Sequence, residues 1–135
     1  MTAFNDFNQK IIEQFRANAG QVEGFGDNLV LVHHKGAKSG TERVNPLAAQ
    51  FDGDNIVIFA SKGGAPDNPA WFHNLKANPD TVVELGTATI DVHAREAEGD
   101  ERDRLWKTQK QLMPGFAEYE DKTDRTIPVV VLERR

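Results

Sequence analysis

The sequence predicts a small, mainly β antiparallel barrel with flanking helices, and three observations support this fold class. Short stretches rich in valine and isoleucine recur along the chain, separated mostly by turn residues. Strands do not alternate with long helices, which disfavours a doubly wound parallel sheet. The 135 residues suffice for one domain (1–135) with its own core, and no linker or internal repeat divides them.

The first predicted element is an amphipathic helix over about 4–18, which ends at a glycine-rich stretch beginning at Gly20. Its charges balance, so we expect it to pack over the mouth of the barrel rather than bind a lipid surface. Three strands should follow, at 29–34, 43–51 and 55–60. Between the second and third, Asp52-Gly53-Asp54 predicts a hairpin turn.

The second half begins with a short helix, for which Asn68 is the predicted N-cap and Pro69 the first residue. Asn78-Pro79 should end it. The remaining elements are strands at 81–85 and 87–94, a charged helix at 99–112, a helix or turn at 115–122 and a strand at 127–132. The prediction is therefore about six antiparallel strands, mostly linked as hairpins.

The composition excludes several classes of function. Lys and Arg number 16 against 21 Asp and Glu, and the net charge of −5 disfavours nucleic-acid binding. The absence of cysteine excludes disulfide scaffolds, thiolate zinc sites and cysteine nucleophiles. The sequence has no apolar run of the roughly 18 residues that a membrane span needs, and no signal-peptide pattern. We therefore expect a cytoplasmic protein without stable membrane insertion.

The four histidines do not have the spacing of a metal site. His33 and His34 are neighbours in a predicted strand, so their side chains leave opposite faces and cannot share a ligand. We expect no bound metal.

Two loops combine glycine with lysine. The first, GAKSG at 36–40, can turn successive N–H groups toward one point and form an anion nest, close to Lys38 and Arg43. The second, ASKGGAP at 60–66, leads into the helix that starts at Pro69, whose N-terminus favours an anion. Either loop alone is better explained as a solvated turn. Together, the two loops and the helix N-terminus make an anion-binding site as good an interpretation as two ordinary turns.

Aromatic residues near these loops have two interpretations. Trp71 and Phe72, at helical spacing from Leu75, are more often core residues than a cofactor shelf. The same holds for Phe116 and Tyr119, which can simply cap the barrel.

The strings GAKSGTERVNPL, ASKGGAPDNPAWFHNLKANP and DKTDRTIPVVVLE resemble the family of deazaflavin-dependent nitroreductases and quinone reductases, which use coenzyme F-420. The resemblance runs from about residue 29 to residue 133, in the expected order and spacing. It implies a split β-barrel, like that of flavin reductases and other FMN-binding proteins. It also implies a bound 8-hydroxy-5-deazaflavin with a phospholactyl-oligoglutamate tail.

The resemblance also implies the residues of the site. Lys38, Ser39 and Arg43 would hold the phosphate and tail, and Tyr119 and Ser61 are the catalytic candidates. The full set implied to bind the coenzyme is Ala37, Lys38, Ser39, Arg43, Val44, Asn45, Pro46, Leu47, Ala48, Phe59, Ala60, Ser61, Lys62, Gly63, Ala70, Trp71, Phe72, His73, Asn74 and Phe116.

The implied activity is hydride transfer from reduced coenzyme F-420 to a flat acceptor such as a quinone, an enone or a nitroaromatic. Better-known nitro-reducing members have several tyrosines where this chain has Met113, Phe116 and Tyr119, so we expect quinones to be the better acceptors. The alternatives are an FMN-dependent split-barrel oxidoreductase and a non-catalytic deazaflavin carrier. We expect a monomer or a weak dimer.

Overall fold

Seven strands form one antiparallel sheet in the computed structural model, which describes residues 3–23, 28–64 and 67–135. The strands are β1 (Leu29–Lys35), β2 (Glu42–Ala48), β3 (Gln50–Asp52), β4 (Asn55–Phe59), β5 (Asp80–Leu85), β6 (Ala88–Glu96) and β7 (Val129–Arg134). The helices are α1 (Ala3–Ala17), α2 (Ala70–Ala77), α3 (Gly99–Leu112) and α4 (Gly115–Asp121), with a short 3-10 turn at Lys62–Gly64. Residues 24–27 and 65–66, in two of the predicted loops, lie outside the described residues.

The strand order is β2-β1-β5-β6-β7-β4-β3, and every neighbouring pair is antiparallel. β2 and β3 stand at opposite edges of this order, yet only Ala49 separates them in the chain. The sheet must therefore curl until its two edges meet at that residue. This closure gives the sheet the shape of a barrel.

The structure contains one strand more than the sequence predicts. The predicted strand 43–51 is two strands, because the buried Ala49 donates its N–H to the carbonyl oxygen of Asn28 at 2.8 Å and turns the chain from one sheet edge to the other. The mainly β antiparallel fold with flanking helices is confirmed.

Two apolar cores lie on opposite faces of β4 and β7. Ile56 and Ile58 face the interior of the barrel with α2, whereas Val57 and Phe59 face α3 and α4. Because both faces are covered, β4 is continuously apolar instead of alternating, as expected for a strand buried on two sides.

Helix α1 covers the outer face of β1. Its residues Ile12 and Phe15 pack on Leu29 and Leu31, with Val44 of β2 at the border of the cluster. The helix therefore lies against the side of the barrel and not over its mouth, contrary to our expectation. Among the described helices, none is long and apolar enough to cross a bilayer.

Candidate functional site

The strand directions bring the predicted functional segments to one end of the barrel. Since each neighbouring pair is antiparallel, β1, β4 and β6 all run in the same direction. The loop 36–41 follows β1, the turn Lys62–Gly64 follows β4, and the segment containing α3 and α4 follows β6. Helix α2 starts beyond that turn and leads to the start of β5 at the same end. Three distant stretches of sequence thus meet there.

The loop 36–41, here called the anion loop, is a tight connection between β1 and β2. Gly36 donates to the carbonyl oxygen of Thr41 at 2.9 Å, and Gly40 donates back to that of Gly36 at 2.9 Å. Across residues 3–23, 28–64 and 67–135, no group accepts a hydrogen bond from the backbone N–H of Lys38 or Ser39. These two N–H groups are therefore available to an anionic ligand.

The cations beside the anion loop are also available. Lys38 and Arg43 are exposed, and neither forms an ion pair within the described part of the chain. Two uncompensated cations and two unpaired N–H groups are suited to a phosphate or carboxylate, which accepts charge-assisted hydrogen bonds.

A chain of hydrogen bonds, buried at its centre, connects the anion loop to α2 and β2. Asn74 accepts a hydrogen bond at Oδ1 from the N–H of Ala37 (2.9 Å), and its Nδ2 lies 2.9 Å from Nδ1 of His34. The other ring nitrogen of His34, Nε2, lies 2.7 Å from Oδ1 of Asn45. Burial lowers the pKa of His34, so the imidazole is kept neutral.

Strand β2 stands at an edge of the sheet, which leaves alternate backbone groups without a strand partner. Pro46 lies in the middle of β2 and has no N–H, so its backbone must face away from β1. The alternation of the antiparallel ladder then directs the N–H groups of Val44 and Ala48 outward as well. These two are the backbone donors of the strand that can reach a ligand.

The side chains of β2 alternate between two faces. Leu47 belongs to the core inside the barrel and Asn45 bonds His34, while Val44 packs on the α1 side. The predicted contacts of residues 44–48 therefore cannot all be side-chain contacts to one ring.

The turn that follows β4 is held from the C-terminal part of the chain. Arg125 donates to the carbonyl oxygen of Ser61 and to Oδ1 of Asn68, both at 2.8 Å. Lys62 has a left-handed backbone (φ +47°) and forms an exposed ion pair with Asp67 at 3.1 Å. A strained non-glycine residue is typical of functional turns.

Tight packing joins this turn to α4. A Cβ added at Gly64 (φ +84°) would lie 2.8 Å from Cβ of Lys122 and 3.0 Å from the carbonyl oxygen of Tyr119. Only glycine allows this close approach. Of Gly63 only the backbone is described, within the same turn. The backbone of Tyr119 therefore lies against the turn that follows Ser61.

The aromatic candidates form a cluster behind the turn. The rings of Phe59 and Phe116 lie 5.8 Å apart in an edge contact, and that of Tyr119 lies 5.1 Å from Phe116. Phe116 is buried in the core with Trp106, and Tyr119 is only partly buried. Met113 packs against the same cluster and also contacts the side chain of Asn28. Met113 and Phe116 therefore both belong to this apolar cluster.

Helix α2 contributes mainly to packing. Trp71 and Phe72 are buried in the core inside the barrel, together with Ala60, whereas Ala70 and His73 are exposed. The helix begins after Pro69 without a side-chain cap, since Asn68 accepts its hydrogen bond from Arg125 instead. The core interpretation of the two aromatic residues is confirmed.

A groove of about 260 Å³ crosses β1 and β5, and its lining includes His34 and Glu42, which lie next to the anion loop. Its lining mixes cations such as Lys35 and Arg135 with carboxylates such as Asp80 and Asp91, so it does not favour a ligand of either charge. Among the residues that the structure describes, no group of three or more His, Asp or Glu side chains could hold a metal ion.

Sequence reasoning missed two residues of the site. In the sequence, His34 bears only on a metal site, and Arg125 of the string DKTDR has no predicted role. Their contacts lie far along the chain, at Asn74 and Ser61. The local sequence carries no spacing signal for either contact.

Comparisons with known proteins find similar proteins over most of the chain. The profile of the family described as F420H(2)-dependent quinone reductase matches residues 7–134. An F420H(2)-dependent quinone reductase of Mycobacterium tuberculosis is 41% identical over 109 residues, which cover 78% of this chain and 73% of the relative.

Two solved structures superpose on most of the chain. One, described as an F420-H2 dependent reductase, has a TM-score of 0.73 and 42% identity, covering 84% of this chain and 100% of its own. Another, described as a domain-swapped dimer, has a TM-score of 0.75 and 38% identity, covering 97% of this chain and 100% of its own. The split-barrel class predicted from the sequence is confirmed by these superpositions.

Proposed function

The chain belongs to the F420H(2)-dependent quinone reductase family, and from this premise we propose that its barrel end transfers a hydride from reduced coenzyme F-420 to a quinone. The observation that carries the proposal is the meeting of three segments at one end of the barrel: the anion loop, the Ser61 turn and Tyr119 on α4. Each provides a different kind of contact.

The anion loop fits the tail of the coenzyme. Among the described residues, the N–H groups of Lys38 and Ser39 and the cations of Lys38 and Arg43 have no partner, and together they match a phosphate followed by carboxylates. The N–H of Ala37 is already bonded to Asn74, so it contributes to the shape of the loop rather than to the ligand.

The ring of the coenzyme fits the region between β2 and the Ser61 turn. Val44 and Ala48 offer outward N–H groups, and the turn offers backbone held at a fixed position by Arg125. When bound, the deazaflavin supplies the hydride, since the hard chemistry belongs to the cofactor. The chain itself fixes the ring and orients the acceptor, which lowers the barrier through proximity.

Tyr119 is the polar side chain beside the turn that can face an acceptor. Its hydroxyl can donate one hydrogen bond to a quinone oxygen, while the neighbouring Phe116 supplies apolar packing from below. Ser61 is 9% exposed, and its carbonyl oxygen is engaged by Arg125. We therefore assign Ser61 to positioning of the ring and Tyr119 to the acceptor.

The two alternatives are not favoured. The family match names reduced coenzyme F-420 as the electron donor, which disfavours an FMN-dependent enzyme, and it names a reductase, which disfavours a carrier. For the assembly we propose a monomer or a weak dimer. One of the similar solved structures is described as a domain-swapped dimer. Sedimentation at several protein concentrations tests the oligomeric state that we propose.

The test is an anaerobic assay of coenzyme oxidation. The purified protein is mixed with reduced coenzyme F-420 and a soluble naphthoquinone, and formation of oxidised coenzyme is followed by its absorbance. Parallel reactions contain reduced FMN or a nicotinamide as the donor. We expect quinone-dependent oxidation of the deazaflavin only.

Two outcomes would contradict the proposal. Faster turnover with FMN would favour the flavin alternative. Tight deazaflavin binding without turnover of any quinone, enone or nitroaromatic would favour the carrier.

A further inference from the structure

His34 is the most deeply buried titratable side chain near the anion loop, with 3% of its surface exposed. It lies on β1 and has a partner at each ring nitrogen: Asn45 of β2 at Nε2 and Asn74 of α2 at Nδ1. Asn74 in turn accepts the N–H of Ala37 in the anion loop. We call these four residues the His34 chain.

The donors and acceptors of the His34 chain can be assigned from one end. A backbone N–H can only donate, so the atom of Asn74 that faces Ala37 must be its oxygen, as the structure has it. The amide nitrogen of Asn74 then faces Nδ1 of His34 and donates to it. Nδ1 must therefore be unprotonated, and Nε2 carries the proton that is donated to Asn45.

The His34 chain ties four elements together at the point where the tail would bind. It joins the end of β1, the edge strand β2 with Arg43, the first turns of α2 and the residue that precedes Lys38. Both polar ends of the Asn74 side chain are engaged and only 7% of its surface is exposed. Asn74 is thus suited to hold the loop rather than to contact a ligand.

We propose that neutral His34 is a positioning residue that sets the anion loop for the coenzyme's tail, so that a second proton on its ring weakens tail binding. This inference rests on the proposed function, because it takes the tail of coenzyme F-420 as the ligand of the loop.

A second proton on the His34 ring would break one of the hydrogen bonds in the His34 chain. With both ring nitrogens protonated, Nδ1–H would face the amide nitrogen of Asn74, which is two donors in contact. Turning the Asn74 amide around would satisfy His34 but bring the amide nitrogen against the N–H of Ala37. No arrangement satisfies every group, and an unmet buried hydrogen bond destabilises the loop.

The burial of the ring and the positive charges near it act in the same direction, while the hydrogen bond to Asn45 opposes them by raising the pKa of His34. The charged or titratable groups that act on it are Arg43 from β2 and His33 from β1, and both disfavour a second positive charge. Within the described residues, helix α2 contacts the ring through the amide of Asn74, and Glu42 of β2 and Asp80 of β5 line the same groove as His34. Burial is the largest influence on the pKa of His34, and it lowers that pKa below the ordinary value. Near neutral pH the ring of His34 is therefore neutral. Its contribution to binding of the tail is lost as the pH falls.

The experiment measures the affinity for coenzyme F-420 between about pH 8 and about pH 5. His34→Asn keeps an acceptor near the Nδ1 position without a titratable ring, whereas His34→Leu removes every partner. His93→Asn, an exposed histidine on β6, is the matched control. The coenzyme's own ionisation affects all of these proteins equally, so differences between their profiles belong to the substituted residue.

We expect wild type and His93→Asn to lose about tenfold in affinity toward the acid end beyond what His34→Asn loses. His34→Leu should bind the coenzyme about tenfold more weakly at every pH, yet bind a deazaflavin without the tail as wild type does. A merely structural role would weaken both ligands alike. The nitrogen chemical shifts of the His34 ring, measured without ligand, should show the proton on Nε2.

The outcomes separate the two proposals. Wild type that fails to bind coenzyme F-420 at any pH would overturn the proposed function, and the role of His34 with it. Normal binding with an acid loss retained in His34→Asn, or with equal weakening of both ligands in His34→Leu, would overturn the role of His34 alone.

Discussion

The anion loop and the Ser61 turn have similar compositions, but the structure uses their lysines in opposite ways. Lys38 of the anion loop is exposed and unpaired among the described residues, whereas Lys62 of the Ser61 turn is paired with Asp67. The anchors also differ. A chain of neutral groups through His34 holds the first loop, and the guanidinium of Arg125 holds the second. The charge of Lys38 in the first loop is therefore available to the proposed ligand, whereas the second loop offers backbone that is held in place.

The largest expected effect comes from removing the anchor of the Ser61 turn. Arg125→Ala deletes charge-assisted hydrogen bonds to Ser61 and Asn68, so unfolding free energy should fall by about 3 kcal/mol. Thermal and urea denaturation measure this, and Arg104→Ala, at an exposed pair with Asp52, is the control. Equal stability of the two variants would show that the turn does not depend on Arg125.

The charges of the two loops can be compared directly. Lys38→Ala should weaken coenzyme binding by about 1–3 kcal/mol and reduce its salt dependence, since a free cation is lost. Lys62→Ala should leave the affinity close to that of wild type, because Asp67 already neutralises this lysine. Fluorescence titrations at low and high salt measure both. A larger loss for Lys62→Ala would reverse the assignment of the loops.

The glycines of the two loops make a second matched pair. Gly64→Ala meets Lys122 and Tyr119 as well as an unfavourable φ of +84°, whereas Gly40→Ala (φ +70°) meets open space. Both should lose about 1 kcal/mol of stability through the left-handed backbone, and Gly64→Ala should lose about 1–2 kcal/mol more through the clash. Denaturation curves measure the loss of unfolding free energy in each variant. Equal losses would mean that α4 moves to accommodate the added methyl group.

The smallest expected effect is at the acceptor. Tyr119→Phe removes one neutral hydrogen bond beside the Ser61 turn, so kcat/KM for a quinone should fall by less than about tenfold. Steady-state kinetics with saturating reduced coenzyme measures this. A loss of several hundredfold would give the hydroxyl a larger part in the reaction than one hydrogen bond.

Local patterns were enough to predict most elements of the fold. The predicted helix at 99–112 matches α3, and Asp52-Gly53-Asp54 forms the turn between β3 and β4, because spacing and turn chemistry are properties of adjacent residues. The break at Ala49 was not predictable in this way. It depends on a hydrogen bond to Asn28, across the edge of the barrel.

The residues of the proposed site follow from the sequence where the family strings are long, and not where contacts are distant. Lys38 and Arg43 are proposed to bind the coenzyme's tail through exposed charge, which the sequence shows. Asn68 has the local pattern of a helix cap, but its oxygen accepts from Arg125, 57 residues away. Such contacts form only in the folded barrel, so the spacing of neighbouring residues does not predict them.

The most direct test of the account varies the ligand and the anion loop together. The affinities of wild type and of the double variant Lys38→Ala, Arg43→Ala are measured for coenzyme F-420 and for its deazaflavin chromophore without the tail. The account predicts that the double variant loses at least about tenfold in affinity for the tailed coenzyme and nothing for the chromophore. Equal losses for both ligands, or equal affinities of wild type for the two ligands, would contradict it.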